Sequence, residues 1–174
     1  MKIRSLACLV LWASGACCGL AAENPGLAGQ WKLDTSQGSS LKPWDAEKLT
    51  ITIQGDAIRF DRHLSWSPDR RVADATTLKA DGRTVTVNAV PYWFDSWYNN
   101  AFIGTDHVKR VSGEWLEPGR VLKVETALFL EAQQGDTPVH IYDEYHLSAD
   151  GRTLRLFELR STRDQALSFV FNRE

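Results

Sequence analysis

Residues 140 to 146, "HIYDEYH", bring two histidines, two tyrosines and two carboxylates into seven positions. If this stretch is a β-strand, side chains two positions apart share a face and lie roughly 6.5 to 7 Å from each other. Glu144 and His146 could then meet at one metal ion, whereas His140 and His146 could not. A zinc-protease motif is excluded, because it needs two histidines at helical i, i+4 spacing. We therefore interpret the His140 face as the polar outer face of a strand and predict no metal site.

Asp143 and Tyr145 fall on the opposite face of the same predicted strand, which is otherwise apolar: Val139, Ile141 and Leu147. A carboxylate inside a protein has a raised pKa unless a cation or a hydroxyl group stabilises its charge. Such a group can orient a ligand, so we predict Asp143 and Tyr145 as ligand-binding residues. The alternative is an internal ion pair of Asp143 with Arg155 or Arg160.

A second candidate site is the aromatic stretch "PYWFDSWYNN" at residues 91 to 100. Pro91 cannot donate a hydrogen bond to a β-ladder, so the rings after it belong to a loop or to a strand edge. Rings gathered there offer flat apolar surface, and the neighbouring Asp and Asn groups can orient a ligand. We predict ligand contacts, beside Asp143 and Tyr145, from Tyr92, Trp93, Phe94, Trp97, Tyr98 and Phe102. The alternative is a cluster of rings that only seals the end of the fold.

Catalytic groups are not marked by any motif. His63 and His107 have no neighbouring nucleophile in the sequence, and no G-x-S-x-G segment is present. A pair of carboxylates for glycoside cleavage could be drawn from Asp95, Asp143 and Glu144, but nothing fixes their separation. We predict no catalytic residue and no cofactor.

The amino terminus is typical of a secretory signal peptide, residues 1–22. Basic residues at positions 2 and 4 precede an apolar run, and small residues lead to a predicted cleavage after Ala21 or Ala22. We therefore expect an exported protein, in the periplasm or outside the cell. The alternative is an outer-membrane lipoprotein acylated at Cys17, which follows "ASGA".

The composition after this segment excludes several classes of protein. All three cysteines lie within residues 1–22, so disulfides and thiolate metal sites are excluded from residues 23–174. Those residues carry 18 Lys and Arg against 22 Asp and Glu, a net charge of −4. A nucleic-acid partner is not expected, because its binding rests on cationic side chains. No second long apolar run follows, so we predict no transmembrane span in the mature chain.

Period-two alternation of apolar and polar residues runs through most of residues 23–174, which we predict to be a single domain. "LTITIQ", "RTVTVNAV" and "RTLRLFEL" are examples. Asp81-Gly82 and Asp150-Gly151 predict β-hairpin turns, because glycine supplies the positive φ that such turns need. We predict an all-β fold, an antiparallel up-and-down β-barrel of about 8 to 10 strands. A two-sheet sandwich is the alternative.

The first predicted strand reads "NPGLAGQWKLD", and its Gly29-Gln30-Trp31 resembles the G-x-W motif that opens the lipocalin barrel. The segment also resembles the opening of small exported bacterial proteins described as lipocalin-like. The resemblance lies in this opening and in the strand order. It implies that Trp31 closes one end of the barrel and packs near a basic residue of the last strands, either Arg160 or Arg173.

These observations lead to three hypotheses about function. The first is an exported, non-enzymatic, lipocalin-like protein that binds a small apolar or amphipathic ligand in the barrel and under an aromatic rim. The second is a protein-interaction module of the envelope, an assembly factor or inhibitor whose aromatic loop forms the interface. The third is an enzyme built on a barrel.

Overall fold

The computed structural model describes residues 26–90, 102–104 and 106–174, and in these residues it contains ten β-strands and no helix. A helix long and apolar enough to cross a membrane is therefore not found in the described part of the chain. The strands are β1 Gly29–Gly38, β2 Ala46–Gln54, β3 Ala57–Ser67, β4 Arg70–Lys79, β5 Val85–Asn88, β6 Val108–Glu117, β7 Val121–Leu130, β8 Thr137–Leu147, β9 Thr153–Arg160 and β10 Leu167–Arg173.

All ten strands form one antiparallel sheet in the order β4-β3-β2-β1-β10-β9-β8-β7-β6-β5. Each strand pairs with its sequence neighbours except at β4 and β5, and β1 pairs with β10, which curls the sheet into a nearly closed barrel. The predicted up-and-down antiparallel barrel is confirmed, with ten strands. A single continuous sheet also rules out the two-sheet sandwich.

A seam separates β4 from β5, where the described strands share no ladder of hydrogen bonds. Side chains and one turn close it instead. Leu78 of β4 packs against Gly113 of β6, where an added Cβ would lie 2.6 Å from the Leu78 side chain. The amide of Gly82 donates to the carbonyl of Gly113 at 2.8 Å. Among the described strands, the barrel is thus closed by ladders of main-chain hydrogen bonds everywhere except along this line.

The two Asp-Gly turns have different outcomes. Asp150-Gly151 joins the paired strands β8 and β9, as predicted, and Gly151 has a φ of +68°. Asp81-Gly82 also makes a turn with positive φ, +75° at the glycine, but it connects β4 to β5 across the seam. The predicted hairpin at Asp81-Gly82 is therefore wrong, because the local turn signal carries no information about whether the flanking strands pair.

The core follows the predicted alternation. In β2, Leu49 and Ile51 are buried, while Thr50 between them faces away from the core and is only half-buried. The inward phases of the other strands contribute to one large cluster that fills the barrel around Trp31, and a smaller cluster surrounds Val139. Burial of these side chains is the main favourable free energy of the fold, at about 25 cal/mol per Å² of apolar surface.

Trp31 is fully buried at the start of the barrel, and Arg173 is the basic residue that packs on it. The guanidinium carbon of Arg173 lies 4.1 Å from the ring centroid of Trp31, within the range of a cation–π contact. Trp31 Nε1 donates to the carbonyl of Leu27 at 3.0 Å, which satisfies its polar atom. Of the two basic residues that the G-x-W resemblance implied, Arg173 takes this place, and Arg160 lies elsewhere inside the barrel.

Candidate functional site

Strand β8 divides its side chains between the two faces as predicted. Val139, Ile141, Tyr145 and Leu147 are buried, and Asp143 lines an interior cavity together with Tyr145. Two of the predicted ligand-binding residues thus lie side by side in the wall of the barrel interior. Their role in binding stays a prediction.

Among the described residues, three ion pairs also lie in the interior. Arg62 Nε of β3 lies 2.7 Å from Glu47 Oε1 of β2, so neighbouring strands supply both partners. Lys109 Nζ of β6 lies 2.5 Å from Asp74 Oδ2 of β4, so this pair crosses the seam. Charge-assisted hydrogen bonds of this kind fix the position of their side chains.

The third pair joins two residues of one strand, Glu158 and Arg160 of β9. Both are among the most buried charged residues of the described chain, with 3% and 4% of their surface exposed. Arg155, the other cation considered as a partner for Asp143, is exposed on the opposite face, where it stacks near Phe157. A predicted Asp143–Arg155 pair is therefore wrong, because Arg155 falls on the outward phase of β9.

The interior cavity has a volume of about 70 Å³. That is room for a few water molecules, since each occupies about 30 Å³ in the liquid. One part of its wall is apolar, and the rest is ionic or hydroxylic. The wall is formed by Phe60, Arg62, Asp74, Thr76, Ala89, Val90, Ile103, Lys109, Val111, Val124, Thr126, Leu128, Ile141, Asp143, Tyr145, Leu156 and Glu158.

Tyr145 brings an aromatic face and a protonated hydroxyl to this wall. Desolvation in the interior raises the pKa of Tyr145 well above its usual value, and the negative charge of Asp143 raises it further. Both effects favour the neutral phenol over the phenolate. Its ring lies 5.2 Å from that of Phe60, centroid to centroid, so two rings stand together beside the carboxylate.

The outer face of β8 forms a separate hydrogen-bonded group. The hydroxyl of Tyr142 donates to Glu144 Oε1 at 2.5 Å, and His146 Nε2 lies 2.7 Å from Glu144 Oε2. These two hydrogen bonds lower the pKa of Glu144, while the bond to Glu144 raises the pKa of Tyr142. Within residues 26–90, 102–104 and 106–174, no group of three or more acidic, histidine or cysteine side chains could hold a metal ion.

The aromatic part of the predicted site is described only at its carboxyl end. Tyr92, Trp93, Phe94, Trp97 and Tyr98 lie outside the described residues. Phe102 is 54% exposed and does not line the cavity, whereas its neighbour Ile103 does. Ala89 and Val90, which precede the segment, line the cavity as well. Ala89 and Val90 before positions 91–101, and Ile103 after them, therefore lie at the cavity wall.

Sequence reasoning missed five charged residues of the interior, although one signal would have found all of them. Each stands in the apolar phase of an alternating strand, as Arg62 does between Phe60 and Leu64 in β3. A charged side chain in that phase faces the interior, where it needs a partner. The five are Glu47, Arg62, Asp74, Lys109 and Glu158.

No protein-family model and no curated protein sequence matches this chain. Among solved structures, it is similar to the crystal structure of the fatty-acid-binding protein isolated from Manduca sexta. The two chains share 9% sequence identity at a TM-score of 0.47, and the match covers 84% of this chain and 98% of the other.

Proposed function

We propose that this protein is an exported, non-enzymatic binding protein that holds a small amphipathic ligand inside its barrel. The observation that carries the proposal is the ionic wall of the interior cavity, built from side chains of β3, β4, β6, β8 and β9. Its apolar counterpart, which includes Val124, Leu128 and Leu156, offers a surface for the hydrocarbon part of a ligand.

Stability does not account for this ionic wall. Burying an ion pair costs desolvation energy that the attraction between the charges often fails to repay, and well-packed apolar residues are frequently as stable or more stable. The barrel nevertheless carries the Glu158–Arg160, Arg62–Glu47 and Lys109–Asp74 pairs inside. Fixed charges in a concave, partly apolar site are what a protein needs to orient a bound molecule.

The size of the cavity requires that the wall moves when a ligand enters, since sites for small molecules usually measure about 300 to 1,000 Å³. The seam between β4 and β5 allows such movement, because widening it breaks no β-ladder. Widening the seam would break two contacts, the Asp74–Lys109 ion pair and the Gly82–Gly113 hydrogen bond.

The aromatic rim remains part of the proposal as a prediction. Ala89, Val90 and Ile103 support it, because they line the cavity and flank positions 91–101 along the chain. Export rests on the signal peptide predicted at residues 1–22. The envelope interaction module is the competing hypothesis, and the experiment below separates the two.

Native mass spectrometry of the protein purified from its own cell envelope tests the proposal. We expect a small-molecule adduct on the wild-type chain. Thr126→Phe should remove it, because Thr126 lines the cavity and a ring there fills the space. Thr77→Phe is the matched control, since Thr77 is exposed on the outer phase of β4 and its variant should keep the adduct. A chain that carries no small molecule but arrives with a second protein would favour the interaction module.

A further inference from the structure

A groove lies on the outer face of the barrel, over the strands β2, β3 and β4. It has a volume of about 690 Å³, within the range of roughly 300 to 1,000 Å³ that is usual for small-molecule sites. None of its described lining residues lines the interior cavity. Small side chains from three neighbouring strands form its floor: Ala46, Ser65 and Ala73. The outer surface is therefore recessed between the longer side chains around this floor.

Trp66 reaches the groove through a β-bulge. Ser65 and Ser67 of β3 pair with two consecutive residues of β4, so β3 has one extra residue at this point, and that residue is Trp66. Regular alternation would place Trp66 in the inward phase of the buried Leu64, yet 44% of its surface is exposed. Bulges re-aim side chains in this way and are over-represented beside active sites. The backbone of β3 thus turns a large ring outward, into the groove.

The indole of Trp66 is held in place by a neighbouring cation. The guanidinium carbon of Arg70 lies 5.1 Å from the ring centroid of Trp66, within the range of a cation–π contact. This contact favours one orientation of the exposed ring. An oriented indole offers a flat apolar surface, which suits the C–H face of a sugar ring.

Groups of opposite charge stand on opposite sides of the same groove. The amide of Asp45 donates to the carbonyl of Ser65 at 2.9 Å on the β2 side, and Arg71 pairs with Ser65 from the β4 side. Two strand spacings, about 10 Å, separate the two sides. Both side chains are exposed, and within the described residues neither forms an ion pair. The guanidinium fits a carboxylate through two parallel hydrogen bonds, whereas an ionised Asp45 only accepts and requires a donor from the ligand.

We propose that this groove binds an acidic saccharide, a chain of sugar units that carry carboxylates. Trp66 packs on a sugar ring, Arg71 binds the carboxylate, and Asp45 accepts a hydrogen bond from a hydroxyl group. A neutral saccharide would leave Arg71 without an anion, and an aromatic carboxylate would bring no hydroxyl group to Asp45. The groove and the interior cavity are separate sites, so this proposal does not depend on the ligand of the barrel.

Nuclear magnetic resonance titration of the isotope-labelled protein at pH 7 with trigalacturonate, maltotriose and benzoate tests the proposal. The first two probes are trisaccharides with and without carboxylates, and benzoate is an aromatic carboxylate without hydroxyl groups. We expect trigalacturonate to bind at least about tenfold more tightly than either of the others, which corresponds to about 1.4 kcal/mol. It should also shift the indole N–H signal that is lost in Trp66→Ala. Equal affinity for both trisaccharides, tighter binding of benzoate, or no binding of trigalacturonate would overturn the proposal.

Two pairs of variants locate the site. Trp66→Ala and Arg71→Gln should each weaken trigalacturonate binding at least about fivefold. Their matched controls are Phe157→Ala and Arg59→Gln, which remove an exposed ring and an exposed guanidinium that do not line the groove and should keep the wild-type affinity. An equal loss in the two arginine variants would show a general effect of charge and would overturn the assignment to Arg71. Unchanged affinity of Trp66→Ala would overturn the role of the indole.

Discussion

Arg173→Ala should destabilise this barrel more than the loss of any exposed arginine. The guanidinium of Arg173 donates to the carbonyls of Gly151, Gly26 and Ala28 at 2.6, 2.7 and 2.8 Å. It also lies 4.1 Å from the ring centroid of Trp31. The last strand, the segment before the first strand and the β8–β9 turn therefore meet at one side chain.

The expected loss is about 4 kcal/mol. We assign roughly 1 kcal/mol to each of the three hydrogen bonds, below the range for fully buried charged donors, because water reaches part of this site. The cation–π contact with Trp31 adds about 1 kcal/mol. In a domain of this length, each kcal/mol shifts the melting temperature by about 2 to 4 °C, so we expect a fall of roughly 8 to 16 °C.

Thermal unfolding by circular dichroism and guanidinium unfolding by tryptophan emission measure this loss. Arg59→Ala is the control, since Arg59 is exposed and pairs only with Asp61 on the surface, and its midpoint should hardly move. Arg173→Lys keeps the charge but cannot reach three carbonyls at once, so it should fall between the wild type and Arg173→Ala. A midpoint of Arg173→Ala within about 2 °C of the wild type would refute the reasoning.

Two further substitutions test other contacts that close the barrel. Gly29→Ala should lower the free energy of unfolding by about 2 kcal/mol or more, because Gly29 has a φ of +149° and a Cβ there would clash with the Arg173 guanidinium. Gly55→Ala is the control, since Gly55 has a φ of +60° and lies in open space, and it should lower the free energy of unfolding by about 1 kcal/mol. Equal losses of the two variants in urea unfolding would contradict this reasoning. Lys109→Met should lower the free energy of unfolding by about 3 kcal/mol, because it leaves Asp74 buried without its cation. The double variant Lys109→Met/Asp74→Leu should regain most of that free energy. Simple additivity in the double-mutant cycle would argue against the pairing.

The strands and the order of the sheet were predictable because each strand carries its own alternation, as Leu49, Thr50 and Ile51 do in β2. Period-two patterning depends only on neighbouring residues, so a single sequence is enough to show it. The same reasoning placed Asp143 and Tyr145 on the inner face, where both line the cavity.

The partners of the interior charges were not predictable from one sequence. Glu47 meets Arg62 across a hairpin, but Asp74 meets Lys109 across a seam that no local pattern marks. The turn at Asp81-Gly82 illustrates the same limit, because its residues specify a turn but not whether the next strand returns along the previous one. Long-range register is decided by the closure of the barrel as a whole.

The seam has a consequence for how this chain avoids self-association. In the described residues β4 forms a ladder only with β3, so an opening of the seam would offer main-chain groups along a ten-residue strand to a second chain. Exposed edges of that length template amyloid-like assembly unless charge interrupts them. Asp74, turned inward on this edge, and the exposed Arg70 and Arg71 at its beginning are such interruptions. Replacing both Asp74 and Lys109 with apolar groups could leave the single molecule as stable as before and, by the same change, would remove a guard against its polymerisation.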